Sequence, residues 1–396
     1  MDGVTGDGIS RRGLLAGAGA AVAAAGLGAC ARRPDPAASA AAPTTPVAAG
    51  PTLDEAALRK KIARMLIVGF RGAQVGPDDW IMKDIGERGL GGVILFDRDQ
   101  LTGESRNINS PAQVTELIKT LQGAAPHGLI VSIDQEGGQI ARLGPQNGFP
   151  ATKSQAEIGA LDSPPATRAW AGGMAQTLVG IGVNFNFAPV ADLAVNPSNP
   201  AIALLGRSFS ADPNVVVSCA TDTIDTYRKA QVRTSIKHFP GLGSATGNTD
   251  FEAVDVTDTW TRAEIVPFQR LIQSGTADTV MVTHFLNRKL DPDRPVSLSH
   301  AVVTDLLRGQ LGWDGVVVTD DMQAVAITSR YARDEATTYA LEAGVDQLVF
   351  CNQAVYDPAI VTQTVEHVLG LVRAGKIPAA QIDRSVARID ALWPPR

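Results

Sequence analysis

Short apolar runs recur along the chain from Leu53 onward, and longer segments with helical periodicity separate them. Segments such as SPAQVTELIKTLQGA and DPNVVVSCATDTIDTYRKAQ open on Ser or Asp, residues that favour helix N-termini. The runs predict eight β-strands, at residues 64–70, 91–96, 128–134, 183–190, 232–239, 279–285, 315–321 and 345–350. Continuous apolar strands that alternate with helices indicate a parallel sheet covered on both faces.

Eight such repeats predict an α/β fold, a closed (β/α)8 TIM-type barrel that forms a single domain over residues 53–396. An open doubly wound sheet is the alternative fold. No glycine-rich dinucleotide fingerprint follows the first apolar run, which argues against that alternative. In a barrel the chemistry lies at the carboxyl ends of the strands, so polar residues at those ends are the functional candidates.

Polar side chains follow four of the predicted strands, in the segments Asp134-Gln135-Glu136, Lys237-His238, Thr283-His284 and Thr319-Asp320-Asp321. Asp320 and Asp321 come directly after an apolar run, so at least one carboxylate must emerge at the barrel rim. Because one member of such a pair often caps the next helix, we expect one to be catalytic and the other supportive. A carboxylate beside an anomeric carbon can act as a nucleophile or stabilise a developing positive charge.

The composition describes a globular chain of ordinary enzyme size: 396 residues, 44% hydrophobic and 19% charged. The net charge is -6 and the basic residues are scattered, which favours a small polar ligand over nucleic acid. The five histidines show no metal-ligand spacing, so no metal site is expected. Cys219 and Cys351 lie in or beside apolar segments and are predicted to be buried thiols, with a disulfide as the alternative.

The N-terminal residues predict export. Arg11 and Arg12 precede an uncharged Ala/Gly/Leu run that closes with LGAC, a pattern typical of a twin-arginine lipoprotein signal peptide. We expect a signal peptide over residues 1–29, lipidation of Cys30, and an Ala/Pro-rich tether over residues 30–52. The protein would then be exported and lipid-anchored to the outer face of the cell membrane. An uncleaved transmembrane helix is the alternative.

Five segments of the predicted barrel resemble the successive signatures of glycoside hydrolase family 3. The resemblance is to the single-barrel β-N-acetylglucosaminidases, in the lipoprotein form found in actinobacteria. The segments occur in family order and read VSIDQEGGQIARL, VNFNFAPVADLAVNPSNPAI, GRSFS, IKHFPGLG and LGWDGVVVTDDM. The resemblance covers the chain from about residue 60 to residue 390.

The resemblance implies a role for each matching residue. It makes Asp320 the nucleophile. We leave His284 outside the predicted site. Hydrogen bonds from charged donors are strong in a partly dry pocket, and Lys237 and His238 would supply them to a neutral sugar. The residues implied to hold the sugar are Asp134, Arg142, Arg207, Lys237 and His238.

The loop after Lys237 departs from the family pattern. Relatives of this subgroup usually carry KHFPGHG and then Asp-Ser-His, whose histidine is the general acid/base. Here Leu242 replaces the first histidine, and Asn248 and Asp250 stand where the family has its Asp and second His. Three interpretations stay open: Asp250 is the acid, a shifted alignment gives the role to Glu252, or the loop carries no acid.

The resemblance implies a monomeric, retaining exo-β-N-acetylglucosaminidase that needs no cofactor. It would release terminal N-acetylglucosamine from peptidoglycan-derived fragments through a glycosyl-aspartate intermediate. Its partners would be β-GlcNAc-containing oligosaccharides or muropeptides. The alternatives are a β-glucosidase, a β-N-acetylglucosaminide phosphorylase of the same family, and a weakly active sugar-binding lipoprotein.

Overall fold

A computed structural model describes residues 54–395 of the chain. Eight parallel strands close into a barrel in the spatial order β1-β10-β9-β8-β7-β6-β3-β2, and β4 and β5 form a separate antiparallel hairpin. The strands are β1 Leu66–Gly69, β2 Gly92–Leu95, β3 Ile130–Ile133, β4 Gln135–Gly137, β5 Ile140–Ala141, β6 Phe185–Asn186, β7 Arg233–Phe239, β8 Thr279–Val282, β9 Val316–Asp321 and β10 Gln347–Phe350.

Helices follow the barrel strands and cover the outside of the barrel. They are α1 Glu55–Arg64, α2 Trp80–Gly86, α3 Pro111–Ala124, α4 Gln155–Gly159, α5 Pro164–Ile181, α6 Pro213–Lys229, α7 Val266–Gln273, a π-helix Ala301–Gln310, α8 Val325–Thr328, α9 Arg333–Ala343, α10 Ile360–Arg373 and α11 Ala379–Leu392. Ser110 and Asp212 cap α3 and α6 through their side chains, and a proline occupies the first position of each helix. The predicted helix starts are confirmed at both sites.

Each of the eight predicted apolar runs contains one barrel strand, which confirms the (β/α)8 fold. The run at 183–190 is the least regular, because its strand covers only Phe185–Asn186. Pro189 has no backbone N–H to donate, and the N–H of Val190 donates to the side chain of Gln155 at 3.0 Å. Val190 pairs again with Lys237 only as an isolated bridge.

The hairpin of β4 and β5 was not predicted from the sequence. Gly137 and Gly138 form its turn with φ values of 97° and 61°, which favour glycine. A Cβ on Gly138 would also lie 2.6 Å from the Cβ of Ser154, so the turn packs too closely for a side chain. The hairpin turns the chain back over the carboxyl end of β3 and places Glu136 and Arg142 there.

Both cysteines in the described residues are buried free thiols, as predicted. Among residues 54–395, no helix is both long enough and apolar enough to cross a membrane. The same residues contain no cluster of three or more His, Cys, Asp or Glu side chains suited to a metal ion. The predicted signal peptide, Cys30 and the tether lie outside the described residues.

Asp346 joins several elements at the amino-terminal end of the barrel. It immediately precedes β10 and is 1% exposed. Its Oδ2 accepts from Arg308 Nη2 at 2.6 Å and from the backbone N–H of Val317 at 2.9 Å. Its Oδ1 accepts from Ser385 Oγ at 2.8 Å and from Arg388 Nη1 at 3.2 Å. One carboxylate therefore ties β9, the π-helix and α11 to the start of β10.

Replacing Asp346 should destabilise the barrel without removing any residue predicted to take part in catalysis or sugar binding. Asp346→Ala leaves the cation of Arg308 without its buried partner, so we expect a loss of about 3–5 kcal/mol in the free energy of unfolding, measured by urea denaturation. Asp383→Ala is the control, because its ion pair with Lys61 is half exposed and should contribute about 0.5 kcal/mol or less. Equal losses in the two variants would contradict this account.

Candidate active site

A cavity of about 420 Å³ opens at the carboxyl ends of the barrel strands. The structure brings all seven predicted barrel-site residues to its walls: Asp134, Arg142, Arg207, Lys237, His238, Asp250 and Asp320. These residues come from four strand ends and two loops that are distant in the sequence. The position matches that of active sites in (β/α)8 barrels.

Lys237 lies in β7, and its ammonium group occupies the centre of a buried ion network. Its Nζ lies 2.7 Å from Asp134 Oδ1 and 2.7 Å from Glu136 Oε1. Burial alone would lower the pKa of Lys237, but the carboxylates of Asp134 and Glu136 outweigh it and raise the pKa. The lysine is therefore charged, and one of its three hydrogens is left for another acceptor.

Glu136 is fully buried and holds two cations at once. It accepts from Arg207 Nε at 2.8 Å and from Arg207 Nη2 at 2.7 Å, a bidentate pair, in addition to its contact with Lys237. Burial would raise the pKa of Glu136, but Arg207 and Lys237 lower it well below its usual range. Glu136 thus fixes the positions of two predicted sugar-binding residues.

His238 is oriented by Asp192. Its Nδ1 lies 2.6 Å from Asp192 Oδ2, and its Nε2 lies 3.1 Å from Arg207 Nη2. A guanidinium can only donate, so Nε2 accepts, and the ring proton on Nδ1 is donated to Asp192. Protein groups therefore engage both ring nitrogens, so direct donation from His238 to a sugar hydroxyl stays a prediction.

Arg142 follows β5 and lies beside Asp134 at the cavity wall. Its Nη2 is 3.7 Å from Asp134 Oδ2, and its guanidinium lies over the ring of Phe96, 5.3 Å from the ring centroid. Its Nε is buried, and no group among the described residues accepts its hydrogen. Asp134 therefore lies between two cations, Arg142 and Lys237.

The two aspartates at the end of β9 have different environments. Asp321 Oδ1 accepts from the backbone N–H groups of Cys351 at 2.9 Å and Gln323 at 3.1 Å, which hold the carboxyl group in place. Burial raises the pKa of Asp321 to about 7. Burial would also raise the pKa of Asp320, but the ammonium of Lys237 and the backbone N–H of Asp321, which donates to Asp320 Oδ1 at 2.9 Å, hold it below the ordinary value.

His284 contacts the carboxyl end of β9. Its Nδ1 lies 2.7 Å from Ser297 Oγ, and its Nε2 lies 3.0 Å from the backbone carbonyl of Asp321. The carbonyl can only accept, so the proton is on Nε2. Burial lowers the pKa of His284. The side chain is not among those that line the cavity.

Asp250 reaches the cavity from the loop that follows β7. The carbonyls of Thr249 and Asp250 accept from the N–H groups of Ala326 at 3.1 Å and Val325 at 3.2 Å, which ties the loop to the segment after Asp321. The side chain is accessible to water, yet the cavity walls surround it. Partial desolvation by these walls and the neighbouring Asp320 carboxylate raise the pKa of Asp250.

Glu252 takes a different direction from Asp250. It is exposed and is not among the residues that line the cavity. Its carboxylate lies against the backbone of Gly247, where an added Cβ would be 2.4 Å from Glu252 Oε1. Leu242, which replaces a histidine of the family pattern, is buried and lines the cavity. Of the two candidate acids, only Asp250 faces the space in which a ligand can lie.

Sequence reasoning missed three acidic residues that support the site: Glu136, Asp192 and Glu264. Glu264 accepts from the N–H of Ser244, in the loop that follows β7, at 3.0 Å. Burial raises the pKa of Glu264 to about 7. Glu136 and Asp192 stand in the quoted motifs DQEGGQ and PVADLA, next to apolar runs. A charged residue beside an apolar run needs a buried partner, so the sequence could have predicted that Glu136 and Asp192 pair with other charged or polar groups.

Comparison with known proteins shows the family of the chain. The sequence profile of the glycosyl hydrolase family 3 N terminal domain matches residues 57–392. A β-hexosaminidase from Tolumonas auensis is 33% identical over 279 residues, which cover 69% of this chain and 78% of that protein.

Solved structures give the same result. A β-N-acetylhexosaminidase from Beutenbergia cavernae has 32% identity and a TM-score of 0.74, covering 84% of this chain and 97% of that one. A family 3 β-N-acetylglucosaminidase from Paenibacillus sp. str. FPU-7 has 33% identity and a TM-score of 0.75, covering 85% of this chain but only 62% of that longer chain. From the profile match and these similarities, the chain belongs to glycoside hydrolase family 3.

Proposed function

We propose that the protein is a retaining exo-β-N-acetylglucosaminidase in which Asp320 is the nucleophile and Asp250 is the general acid/base. One observation carries the proposal: two carboxyl groups line the same cavity, and their pKa values are displaced in opposite directions. Glycosidases of this type need one ionised carboxylate and one protonated carboxylic acid at the scissile bond.

The reaction proceeds in two steps. An oxygen of Asp320 attacks the anomeric carbon while the bond from that carbon to the leaving oxygen breaks, and Asp250 gives its proton to the leaving group. In the second step Asp250 takes a proton from water, the water oxygen bonds to the anomeric carbon, and Asp320 leaves. Two displacements at one carbon retain the configuration.

The ion network suits a neutral, hydroxyl-rich sugar. Lys237 has a hydrogen that neither Asp134 nor Glu136 takes, the Arg142 guanidinium lines the cavity, and the carboxylate of Asp134 can accept from hydroxyl groups. Because these charged groups are fixed by one another, they lose little side-chain conformational entropy when a ligand binds. The relatives are named as β-hexosaminidases and β-N-acetylglucosaminidases, which supports terminal β-linked N-acetylglucosamine as the substrate.

The cellular setting follows from the N-terminal sequence. A lipid on Cys30 and a tether over residues 30–52 would hold the barrel at the outer face of the cell membrane, next to the cell wall. Peptidoglycan fragments carry β-linked N-acetylglucosamine, so they are the proposed natural substrates. The proposed active form is the monomer.

Asp320→Asn should abolish formation of the glycosyl-enzyme, with kcat falling by about 10⁴-fold or more, because the amide is a poor nucleophile. The change is nearly isosteric, so the fold and sugar binding should be retained. Mass spectrometry of the intact protein and its peptides, with a slow fluorinated substrate, locates the label on the wild type. Labelling on Asp321 or another residue contradicts the assignment.

Asp250→Ala should slow substrates with poor leaving groups by about 10²–10⁴-fold and largely spare activated aryl glycosides, whose departure needs little protonation. Azide should partly restore turnover, because it attacks the glycosyl-enzyme without help from a base.

Glu252→Ala is the matched control for this loop and should leave both substrate types unchanged. The opposite pattern in the two variants would transfer the role to Glu252. If neither variant changes the kinetics, the loop supplies no acid and the alternative of a weakly active sugar-binding lipoprotein is favoured.

Cys30→Ser should move the protein from the membrane fraction to the soluble fraction, because a polar Ala/Pro tether has no membrane affinity of its own. Cell fractionation and immunoblotting measure the change, with the wild type as the membrane-bound reference. Retention of the variant in the membrane would instead indicate an uncleaved helical anchor.

A further inference from the structure

Phe251 is a large apolar side chain left in water beside the proposed acid. It is 63% exposed and also lines the cavity. Three other exposed apolar residues, Leu101, Leu204 and Val355, each adjoin a cavity-lining residue in the sequence. A phenyl ring kept out of the core forgoes the free energy of burial, so a ligand that covers it would gain that energy.

The loop holds Phe251 in a fixed relation to Asp250. The N–H of Phe251 donates to the carbonyl of Asn248 at 3.0 Å, and the N–H of Asp250 donates to Asn248 Oδ1 at 3.0 Å. Asn248 thus closes a tight turn that carries both residues. The backbone bonds from Asp250 and Thr249 to the segment after β9 anchor the turn.

The position of the acid determines what lies next to Phe251. A general acid must reach the glycosidic oxygen, and that oxygen joins the sugar in the cavity to the leaving group. The leaving group therefore extends from Asp250 toward the mouth of the cavity. Phe251, which follows Asp250 in the chain, lines the cavity there. An aromatic face at this position packs well against the C–H face of a pyranose or against an aryl ring.

We infer that Phe251 forms an aglycone subsite that selects substrates whose leaving group is a ring, either a second pyranose or an aryl group. The inference rests on the proposed function, because it takes Asp250 as the group that protonates the leaving oxygen. It adds a determinant of substrate choice outside the ion network, which holds only the sugar that is released.

Two substrates with the same N-acetylglucosamine and different leaving groups test the inference: N,N′-diacetylchitobiose, whose leaving group is a pyranose, and methyl β-N-acetylglucosaminide, which has no ring there. Phe251→Ala should lower kcat/KM for the disaccharide by about 3- to 10-fold and leave that for the methyl glycoside unchanged. Phe251→Tyr keeps the ring and should keep the wild-type ratio. Leu161→Ala removes another exposed apolar side chain, which does not line this cavity, and should change neither value.

The outcomes separate the inference from the proposed function. If the wild type cleaves both substrates and Phe251→Ala slows both equally, or neither, the aglycone subsite is overturned and the hydrolase stands. If the wild type cleaves neither substrate, the proposed function fails and the subsite fails with it. A loss confined to the disaccharide, restored in Phe251→Tyr, supports both.

Discussion

The contact of the Lys237 ammonium with the carboxylates of Asp134 and Glu136 is the interaction on which the rest of the active site depends. It joins the end of β7 to the end of β3 and to the unpredicted hairpin. From Glu136 the network continues through Arg207 to His238 and its partner Asp192. Burying so many charges costs desolvation energy, and each is tolerated because its partners are in place. The network therefore orders the site more than it stabilises the fold.

The same arrangement gives two aspartates opposite properties. Asp320 lies near the Lys237 ammonium and accepts from the backbone N–H of Asp321, and these groups hold its pKa down despite burial. Asp250 enters from the loop, where partial desolvation by the cavity walls and the charge of Asp320 raise its pKa. Because the carbonyls of Thr249 and Asp250 are bonded to the segment that follows Asp321, the proposed acid and nucleophile are held by one local structure. In the proposed mechanism, this coupling lets a loop that lacks the histidine of the family pattern supply a carboxylic acid for the same task.

The sequence predicted the barrel because its strands are buried on both faces and so appear as continuous apolar runs. Polar residues directly after such runs emerge at one rim, which predicted Asp134, Lys237, His238 and Asp320 there, whereas Arg142, Arg207 and Asp250 were implied only by the family resemblance. The hairpin was missed because β4 and β5 are short and contain the polar residues Gln135 and Glu136. The supporting roles of Glu136 and Asp192 were missed because their partners, Arg207 and His238, lie far away in the sequence. Which of Asp250 and Glu252 faces the cavity depends on the turn at Asn248, and spacing alone does not determine that direction.

The pH dependence of kcat/KM for a substrate with a poor leaving group tests the central claim most directly. Activity requires Asp320 ionised, so the rate should fall as pH drops through the lowered pKa of that residue. It also requires Asp250 protonated, so the rate should fall again as pH rises through its raised pKa. We predict a bell-shaped profile for the wild type. In Asp250→Asn the alkaline limb should disappear, and the remaining rate should fall only as the pH drops through the acidic limb. An alkaline limb that persists unchanged in Asp250→Asn would contradict the account.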